Sequence, residues 1–242
     1  METITQILKK LKEMGAKSIT VAERSGPART SETFEKKGLY VLAKQLDFEI
    51  IDLTDILKEE YVLKNPEGCH WKNGFLFAKI YDNAECIIET CCLKTHMFGG
   101  HFTLSLKNAV GIVNKKNMNE LHSSKHQRQM IAEINSVYQP DLVIMDGLVA
   151  FVDGGPMEGT RKEANVFIAG TDKIAIDAVA VAILRILGTT SVVSKGSIFD
   201  QEQIKRAAEL GLGIKSPDDI EFLYDSKESE ELVEQIKERL AE

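Results

Sequence analysis

Lys94, Thr95 and His96 follow an apolar segment at residues 85–90, and their side chains are of types that do chemistry. Lys94 could supply an ammonium group that binds an anion, and His96 could supply a proton donor or a metal ligand. The alternative is a solvent-facing loop, which would be the better interpretation for an isolated pair of this kind. The motifs elsewhere in the chain therefore decide whether these residues form a site.

Two further apolar segments run into ionisable or glycine-rich sequence. The first ends at Asp146 and is soon followed by Asp153–Gly159. The second, residues 165–169, precedes Asp172 and a helical pattern that contains Asp177. Ligands of an open α/β sheet bind outside the carboxyl ends of its strands, so we expect one shared site there. Its expected members are Lys94, His96, Lys107, Asn108, Asp146 and Asp177.

Asp177 is the acidic residue that is hardest to explain as a solvent-exposed surface residue. Its helix is apolar on nearly all sides, which predicts that the carboxylate is buried. A buried carboxylate must be paired, hydrogen-bonded or metal-bound. Lys94, Lys107 or a bound cation would be its partner, and a structural bond to a backbone amide is the competing interpretation. Asp172, by contrast, is predicted to cap the start of the helix.

The charge between Lys107 and Arg128 is opposite to that of the whole chain. This segment contains five basic residues and a single acidic residue, Glu120. The basic residues are Lys107, Lys115, Lys116, Lys125 and Arg128. Such a stretch suggests a phosphorylated or carboxylated ligand, or an acidic partner. A solvated charged face explains it equally well. His122 and His126 are four residues apart, a spacing that metals use on a helix, although two surface histidines are the better interpretation.

The stretch Asp153–Gly159 holds three glycines and a proline. Glycines at this density let backbone amides approach a ligand, and they serve an ordinary tight turn equally well. The stretch lacks the Gly-Lys-Ser/Thr end of a phosphate-binding P-loop and the spacing of a dinucleotide-binding fingerprint. Neither class of nucleotide site is therefore predicted.

Five short, β-branched segments are predicted to be strands that are covered on both faces. They are Lys17–Glu23, Phe48–Leu53, Glu85–Thr90, Asp141–Asp146 and Asn165–Ala169. Helical patterns lie between them, at Ile4–Met14, at Ser31–Leu46 with a break near Gly38, at Asn119–Tyr138 and at Lys173–Leu187. This alternation predicts an α/β fold with a mainly parallel sheet and helices on both faces.

The end of the chain has a different character. Gln201–Leu210 and Glu228–Leu240 are polar amphipathic helical patterns separated by a turn-like segment. We expect residues 1–190 to form an α/β core domain and residues 191–242 to form a peripheral helical tail of the same domain. No candidate site residue lies in this tail.

Composition excludes several classes of protein. Thirty Lys and Arg against 37 Asp and Glu give a net charge of −7, which argues against nucleic acid or an anionic membrane as a partner. No apolar run approaches the ~18 residues of a spanning helix, and the start resembles no signal peptide, so a cytoplasmic protein is expected. The four cysteines, Cys69, Cys86, Cys91 and Cys92, form no C-x-x-C pair and are expected to be reduced thiols.

Four parts of the sequence together resemble the family called domain of unknown function 362. They are LKTHMFGGHFTLSLKNAVGIV, His122, DLVIMDGLVAFVDGGPMEG and AGTDKIAIDAVAVAILRILG. The similarity runs from about Met14 to Gly188. It implies functional roles for Lys94, Thr95, His96, Lys107, Asn108, Gly111, His122, Asp146, Gly155, Pro156, Gly159, Asp172 and Asp177.

The resemblance implies no agreed reaction. Many members of the family carry a ferredoxin-like cysteine module and are described as iron–sulfur centre proteins. This chain lacks that module, so no iron–sulfur cluster is expected in it. The family's first strand with its Lys-x-Asn element is also not found upstream of Ile4, which bears on whether the site is complete.

The first hypothesis is an enzyme, or a degenerate enzyme, that acts on a small anionic metabolite. Lys94 and Lys107 would hold the phosphate or carboxylate, and His96 would act as acid, base or ligand. Asp146 and Asp177 would orient a lysine or bind a divalent metal. The other expected ligand-binding residues are Thr95, Asn108, His122, Gly155, Gly159 and Asp172. The alternatives are a redox accessory or scaffold protein that docks a ferredoxin-like partner, and a small-molecule binding protein without a reaction.

Overall fold

A computed structural model describes all 242 residues, and the chain divides into two compact units. Unit 1 comprises Met1–Lys64, Phe75–Asn83 and Gly111–Met118. Unit 2 comprises Asn65–Gly74, Ala84–Val110 and Asn119–Glu242, and it contains almost all of the candidate site residues. The division into residues 1–190 and 191–242 stays a prediction.

Unit 1 is built from three helices and two small sheets. Its elements are α1 (Glu2–Glu13), β1 (Thr20–Glu23), α2 (Thr30–Lys36), α3 (Leu39–Leu46), β2 (Glu49–Asp52), β3 (Tyr61–Lys64) and β4 (Phe75–Ala78). Strands β1 and β2 pair in parallel, and β3 and β4 pair antiparallel. Gly38, at φ 72°, separates α2 from α3 and confirms the predicted break. Leu8, Phe34, Leu39 and Phe48 form the core.

Unit 2 contains the larger sheet and most of the helices. Its elements are β5 (Ile88–His96), β6 (His101–Thr103), α4 (Ser105–Asn108), α5 (Met118–Ser123), α6 (Gln127–Ile134), β7 (Leu142–Gly154), β8 (Gly159–Gly170), α7 (Lys173–Leu187), α8 (Ser191–Ser194), α9 (Glu202–Glu209) and α10 (Lys227–Leu240). All five predicted strands are present in the two units. Helix α7 has the predicted bounds and ends before Gly188.

The prediction of a mainly parallel sheet is wrong. The strand order is β6-β5-β7-β8, and only β5 and β7 are parallel, whereas β6 and β8 each run antiparallel to their neighbour. The reason is that residues 155–158 turn the chain directly from β7 into β8, which forms a hairpin. The carboxyl end of β8 therefore lies at the opposite end of the strands from the carboxyl ends of β5 and β7.

Helices do not cover the whole of both faces of this sheet. Cys91 and Ile168 pack into the core with the apolar side chains of α7. Their neighbours Cys92 and Phe167 are exposed, and successive side chains of a strand point to opposite faces. The expectation of helices on both faces therefore fails at these positions. None of the helices combines the length and the apolar character that crossing a bilayer requires.

The core of unit 2 is centred on α7, whose residues Ile174 to Leu184 are almost all buried against the sheet. Burial of this apolar helix stabilises the unit through the hydrophobic effect. The C-terminal segment adds to the same core through Ile204, Ala207, Ile236 and Leu240. These are the apolar positions of the two predicted amphipathic helices, which are α9 and α10.

The predicted helix Asn119–Tyr138 is divided into α5 and α6. The backbone leaves the helix at residues 124–126, where the Ser124 hydroxyl accepts a 3.0 Å hydrogen bond from the His126 amide. His122 is in α5, whereas His126 precedes α6. These two histidines are therefore not on one helix face, and the spacing argument for a metal pair does not hold.

Candidate functional site

Asp177 is fully buried, as predicted, and its partners are backbone amides. Its carboxyl oxygens accept hydrogen bonds of 2.7 Å from the Ser105 amide and 3.2 Å from the Leu106 amide. These amides begin α4, so Asp177 caps the short helix that carries Lys107. Burial raises the pKa of Asp177 to about 8, although the two amide bonds act to lower it. The competing interpretation of Asp177 is therefore confirmed.

The end of β5 places Lys94 and His96 on one face of the strand and Thr95 on the other. Thr95 is buried, and its hydroxyl lies 3.2 Å from the carbonyl oxygens of both Phe151 and Gly154 in β7. This hydroxyl therefore ties two strands together. Lys94 is partly exposed, and His96 is only 8% exposed. The buried His96 Nδ1 atom has no hydrogen-bond partner in the protein.

Gly100 allows His96 and Lys107 to approach each other. A Cβ atom at position 100 would lie 2.9 Å from Lys107 Cε and 3.1 Å from His96 Nδ1. Both side chains thus use the space that glycine leaves open, and a larger residue would displace one of them. Lys107 is 8% exposed, so its stem is packed within the protein.

The side chains that act electrostatically on His96 are basic. Burial lowers the pKa of His96 to about 3, and Lys107, His122 and Lys94, in that order, add to the effect. The imidazole is therefore neutral at pH 7. We call Lys94, His96, Lys107 and His122 the basic cluster.

The segment Met97–Gly100 between β5 and β6 is held by side chains of α6 and α9. Arg128 donates a 2.8 Å hydrogen bond to the Gly99 carbonyl, and Gln203 donates one of 2.5 Å to the Gly100 carbonyl. Arg128 also pairs with Glu202. Gln127 is joined to His122 Nδ1 at 3.0 Å. Sequence reasoning missed these glutamines, because an amide that supports a loop has no distinctive sequence pattern.

The glycine-rich stretch is the turn of the β7–β8 hairpin. Gly155 has φ +76°, and a Cβ atom there would lie 2.1 Å from the Thr95 carbonyl oxygen. Gly159 is similarly close to the Asp153 carbonyl oxygen, at 2.3 Å. The Met97 amide donates a 3.3 Å hydrogen bond to the Gly155 carbonyl. These glycines bring the turn against the end of β5, one residue from His96.

The remaining predicted residues lie outside the basic cluster. Asp146 is in β7 beside Cys92 of β5, and its carboxylate accepts a 3.2 Å bond from the Leu148 amide. Asn108 donates a 3.2 Å hydrogen bond to the Thr90 carbonyl. Asp172 caps α7 through the Ala175 amide at 2.9 Å and also accepts from the Ile214 amide at 2.8 Å. The geometry gives these three side chains structural hydrogen bonds.

A buried ion pair, which sequence reasoning also missed, lies near Asp177. Lys173 Nζ is 3.1 Å from a carboxylate oxygen of Glu89, and both side chains are buried. The Lys173 ammonium also donates a hydrogen bond to Asn135 and lies 4.2 Å from the centre of the Tyr138 ring. Burial lowers the pKa of Lys173, and Glu89 opposes that effect. Glu89, a charged residue inside the apolar segment 85–90, was the feature of the sequence that could have indicated this ion pair.

The positive stretch is divided by the fold. Lys115 and Lys116 belong to unit 1, whereas Lys107, Lys125 and Arg128 belong to unit 2. No group of three or more His, Cys, Asp or Glu side chains comes together in a way that could hold a metal ion. All four cysteines are free thiols, of which Cys91 is buried.

Comparison with known proteins gives one family and one relative. A family model described as domain of unknown function (DUF362) matches residues 1–182. A thylakoid-associated protein of Synechocystis sp. is 27% identical over 157 residues, which are 63% of this chain and 46% of that protein. The chain thus spans about half the length of this relative. No solved structure matches the present chain.

Proposed function

The chain belongs to the family described as domain of unknown function (DUF362), and we propose that it binds a small phosphate- or carboxylate-bearing molecule at the basic cluster. The family match confirms the resemblance found in the sequence. Because that family is defined without a reaction, the proposal depends on the residues of unit 2 alone.

One observation carries the proposal. His96 is buried with an unpartnered Nδ1 atom, and Lys107, His122 and Lys94 all act to lower its pKa. Gathering basic groups around a poorly solvated imidazole is electrostatically unfavourable in the free protein. An anion bound there would offset the repulsion, and it would accept hydrogen bonds from the ammonium groups.

The same electrostatics gives His96 a role beyond binding. The negative charge of a bound anion raises the pKa of a neighbouring imidazole, so binding would be coupled to the uptake of a proton. Protonated His96 could then donate that proton to a leaving group of the ligand. His96 is thus the candidate general acid if the protein is an enzyme, with Lys94 and Lys107 as the anion-binding groups.

Asp146 and Asp177 have a smaller part in this proposal than in the first hypothesis. In this proposal Asp177 positions Lys107 by capping α4, and because it is fully buried it would not touch the ligand. Asp146 remains a candidate for orienting Lys94 from the neighbouring strand. Binding of a divalent metal, a ferredoxin-like partner and a cytoplasmic location stay predictions. The Synechocystis relative is named as a thylakoid-associated protein.

Calorimetric titration with inorganic phosphate and with acetate tests the proposal. We expect Lys107→Ala to weaken the binding of at least one of these anions about tenfold or more, which corresponds to one charge-assisted hydrogen bond. Lys125→Ala is the matched control, since it removes the same charge from an exposed position of unit 2. Equal effects of the two substitutions would indicate only a general electrostatic attraction and would refute the proposal.

A further inference from the structure

Three large apolar side chains are exposed on the two loops next to the basic cluster. Met97 and Phe98 lie between β5 and β6 and are 66% and 62% exposed, and Met157, in the β7–β8 turn, is 62% exposed. The two loops are joined by the 3.3 Å hydrogen bond from the Met97 amide to the Gly155 carbonyl. Single exposed apolar residues are common, but three on joined loops beside a candidate site call for an explanation.

Phe98 connects this apolar surface to the basic cluster directly. Its ring lies 5.8 Å from the ring of His96, in an edge-to-face arrangement. His96 thus lies near the Phe98 ring and, at Gly100, near Lys107. The apolar part of a ligand bound at His96 would therefore have the Phe98 ring within reach.

The loop that exposes these side chains is fixed in place. Arg128 and Gln203 bind the carbonyl groups of Gly99 and Gly100, the two residues that follow Phe98. The backbone is therefore anchored from behind while Met97 and Phe98 face solvent. An anchored loop loses less conformational entropy when a ligand binds to it.

From this arrangement we infer that the ligand is an organic anion that carries an apolar group, with its phosphate or carboxylate at the basic cluster and its apolar part on Met97, Phe98 and Met157. This inference depends on the proposed function and narrows its ligand class. Thioether side chains adapt to ligands of different shape, which suits a flexible alkyl group.

A soluble molecule fits the site better than the surface of a bilayer does. His96 and Lys107 are each only 8% exposed. Side chains recessed to this extent cannot reach a planar layer of headgroups unless a lipid leaves the bilayer. A small molecule can bring its anionic end to them and leave its apolar end on the exposed loops.

Calorimetric titrations with two matched pairs of probes test the inference. Methyl phosphate is compared with hexyl phosphate, and acetate with hexanoate, so that within each pair only the alkyl length changes. We expect the longer member of at least one pair to bind about tenfold or more tightly, since each buried methylene adds to affinity. Phe98→Ser should remove most of that gain, so that the longer and the shorter member of each pair bind with nearly equal affinity. Leu223→Ser, at an exposed position outside the two loops, should keep the gain.

The outcomes separate this inference from the proposed function. If the short anions bind and the long ones bind no more tightly, the inference fails and the proposed function stands. If neither the short nor the long anions bind, both fail. A gain that persists in Phe98→Ser overturns the inference, because the alkyl group then lies elsewhere. Flotation with vesicles of anionic phospholipid, lost in Phe98→Ser without any hexyl gain, overturns it in favour of a membrane surface.

Discussion

The side-chain carboxyl group of Asp177 in α7 accepts a 2.7 Å hydrogen bond from the backbone amide of Ser105, the first residue of α4. The four-residue helix that follows has too few internal hydrogen bonds to hold itself in place, since its first amides have no partner within the helix. Asp177 supplies that partner from a helix packed on the sheet. The buried carboxyl group thereby anchors the helix that carries Lys107.

The first prediction is that Asp177→Ala affects both stability and binding. Two buried amides would lose their acceptor, which should lower the free energy of unfolding by about 1 to 3 kcal/mol. Because α4 would lose its anchor, Lys107 should move and the affinity for inorganic phosphate or acetate should fall. Urea unfolding and calorimetric titration measure the two effects.

Asp172→Ala is the control for this substitution. Asp172 also accepts hydrogen bonds from two backbone amides, but those belong to Ala175 and Ile214 and not to α4. This variant should lose stability to a similar extent and keep the affinity of the wild type. If both variants lose affinity equally, Asp177 has no particular role in positioning Lys107.

The second prediction concerns the ion pair of Lys173 and Glu89. Lys173→Met should leave the buried Glu89 carboxylate without a counter-charge and lower the free energy of unfolding by about 3 to 5 kcal/mol. The double variant Lys173→Met, Glu89→Gln should be more stable than Lys173→Met alone, because no uncompensated charge remains. Urea unfolding of the single and double variants measures this coupling.

An exposed ion pair provides the comparison. Lys205 lies 3.0 Å from Asp200, and both side chains are more than half exposed. Lys205→Met should change the free energy of unfolding much less than Lys173→Met does, because solvent screens the pair. Losses of equal size at Lys173 and Lys205 would contradict the assignment of Lys173 to a buried charge pair.

The third prediction separates steric contact from backbone strain at glycine. Gly196 has φ +68° and open space around it, so Gly196→Ala should cost only the strain of a left-handed residue, about 1 to 2 kcal/mol. Gly155 has a similar φ, but its added Cβ would meet the Thr95 carbonyl oxygen at 2.1 Å. Gly155→Ala should therefore cost more than Gly196→Ala, by about 1 to 3 kcal/mol, because β5 must shift.

Binding measurements on the same two variants extend this prediction. A shift of the Thr95 backbone would move His96, the next residue, so Gly155→Ala should also weaken binding of inorganic phosphate or acetate. Gly196→Ala should leave that affinity unchanged. Loss of stability in Gly155→Ala without any loss of affinity would show that the hairpin turn does not position the basic cluster.

The sequence predicts the elements of this fold better than their directions. The strands at residues 88–90 and 142–146 are recognisable because they are short segments rich in β-branched residues, which lie buried or half-buried in the sheet. The direction of β8 is not, because its first half contains Arg161, Lys162 and Glu163, which resemble a loop. These charges are tolerated because β8 is an edge strand with exposed side chains. Because the first half of β8 was not predicted to be a strand, the β7–β8 hairpin was not predicted either.

The candidate site shows a similar limit. Burial of Asp177 follows from the apolar residues around it in the helix, which are visible in the sequence. Its partners could not be predicted, because backbone amides have no sequence signature. The proximity of Lys107 to His96 also depends on the fold, since it requires Gly100 and the antiparallel return of the chain through β6.

The last prediction is a pH dependence that originates at His96. Its pKa is about 3 in the folded protein, below the ordinary value of 6.5 that applies to the unfolded chain. Between these two values the unfolded chain binds a proton that the folded protein does not, so His96 lowers stability as the pH falls from 6.5 towards 3. The loss is roughly 1.4 kcal/mol for each pH unit, and above pH 6.5 His96 contributes no dependence.

Comparison with His96→Gln isolates this contribution from other titrating groups. The variant should lose less stability than the wild type between pH 6.5 and 4, as measured by urea unfolding. In NMR titrations, the His96 imidazole resonance should remain that of the neutral form down to about pH 4. Saturating phosphate or acetate should move its titration to higher pH, because the bound anion favours the imidazolium. A His96 resonance that titrates near pH 6.5 without any anion would contradict both the burial of the imidazole and the effect of its basic neighbours.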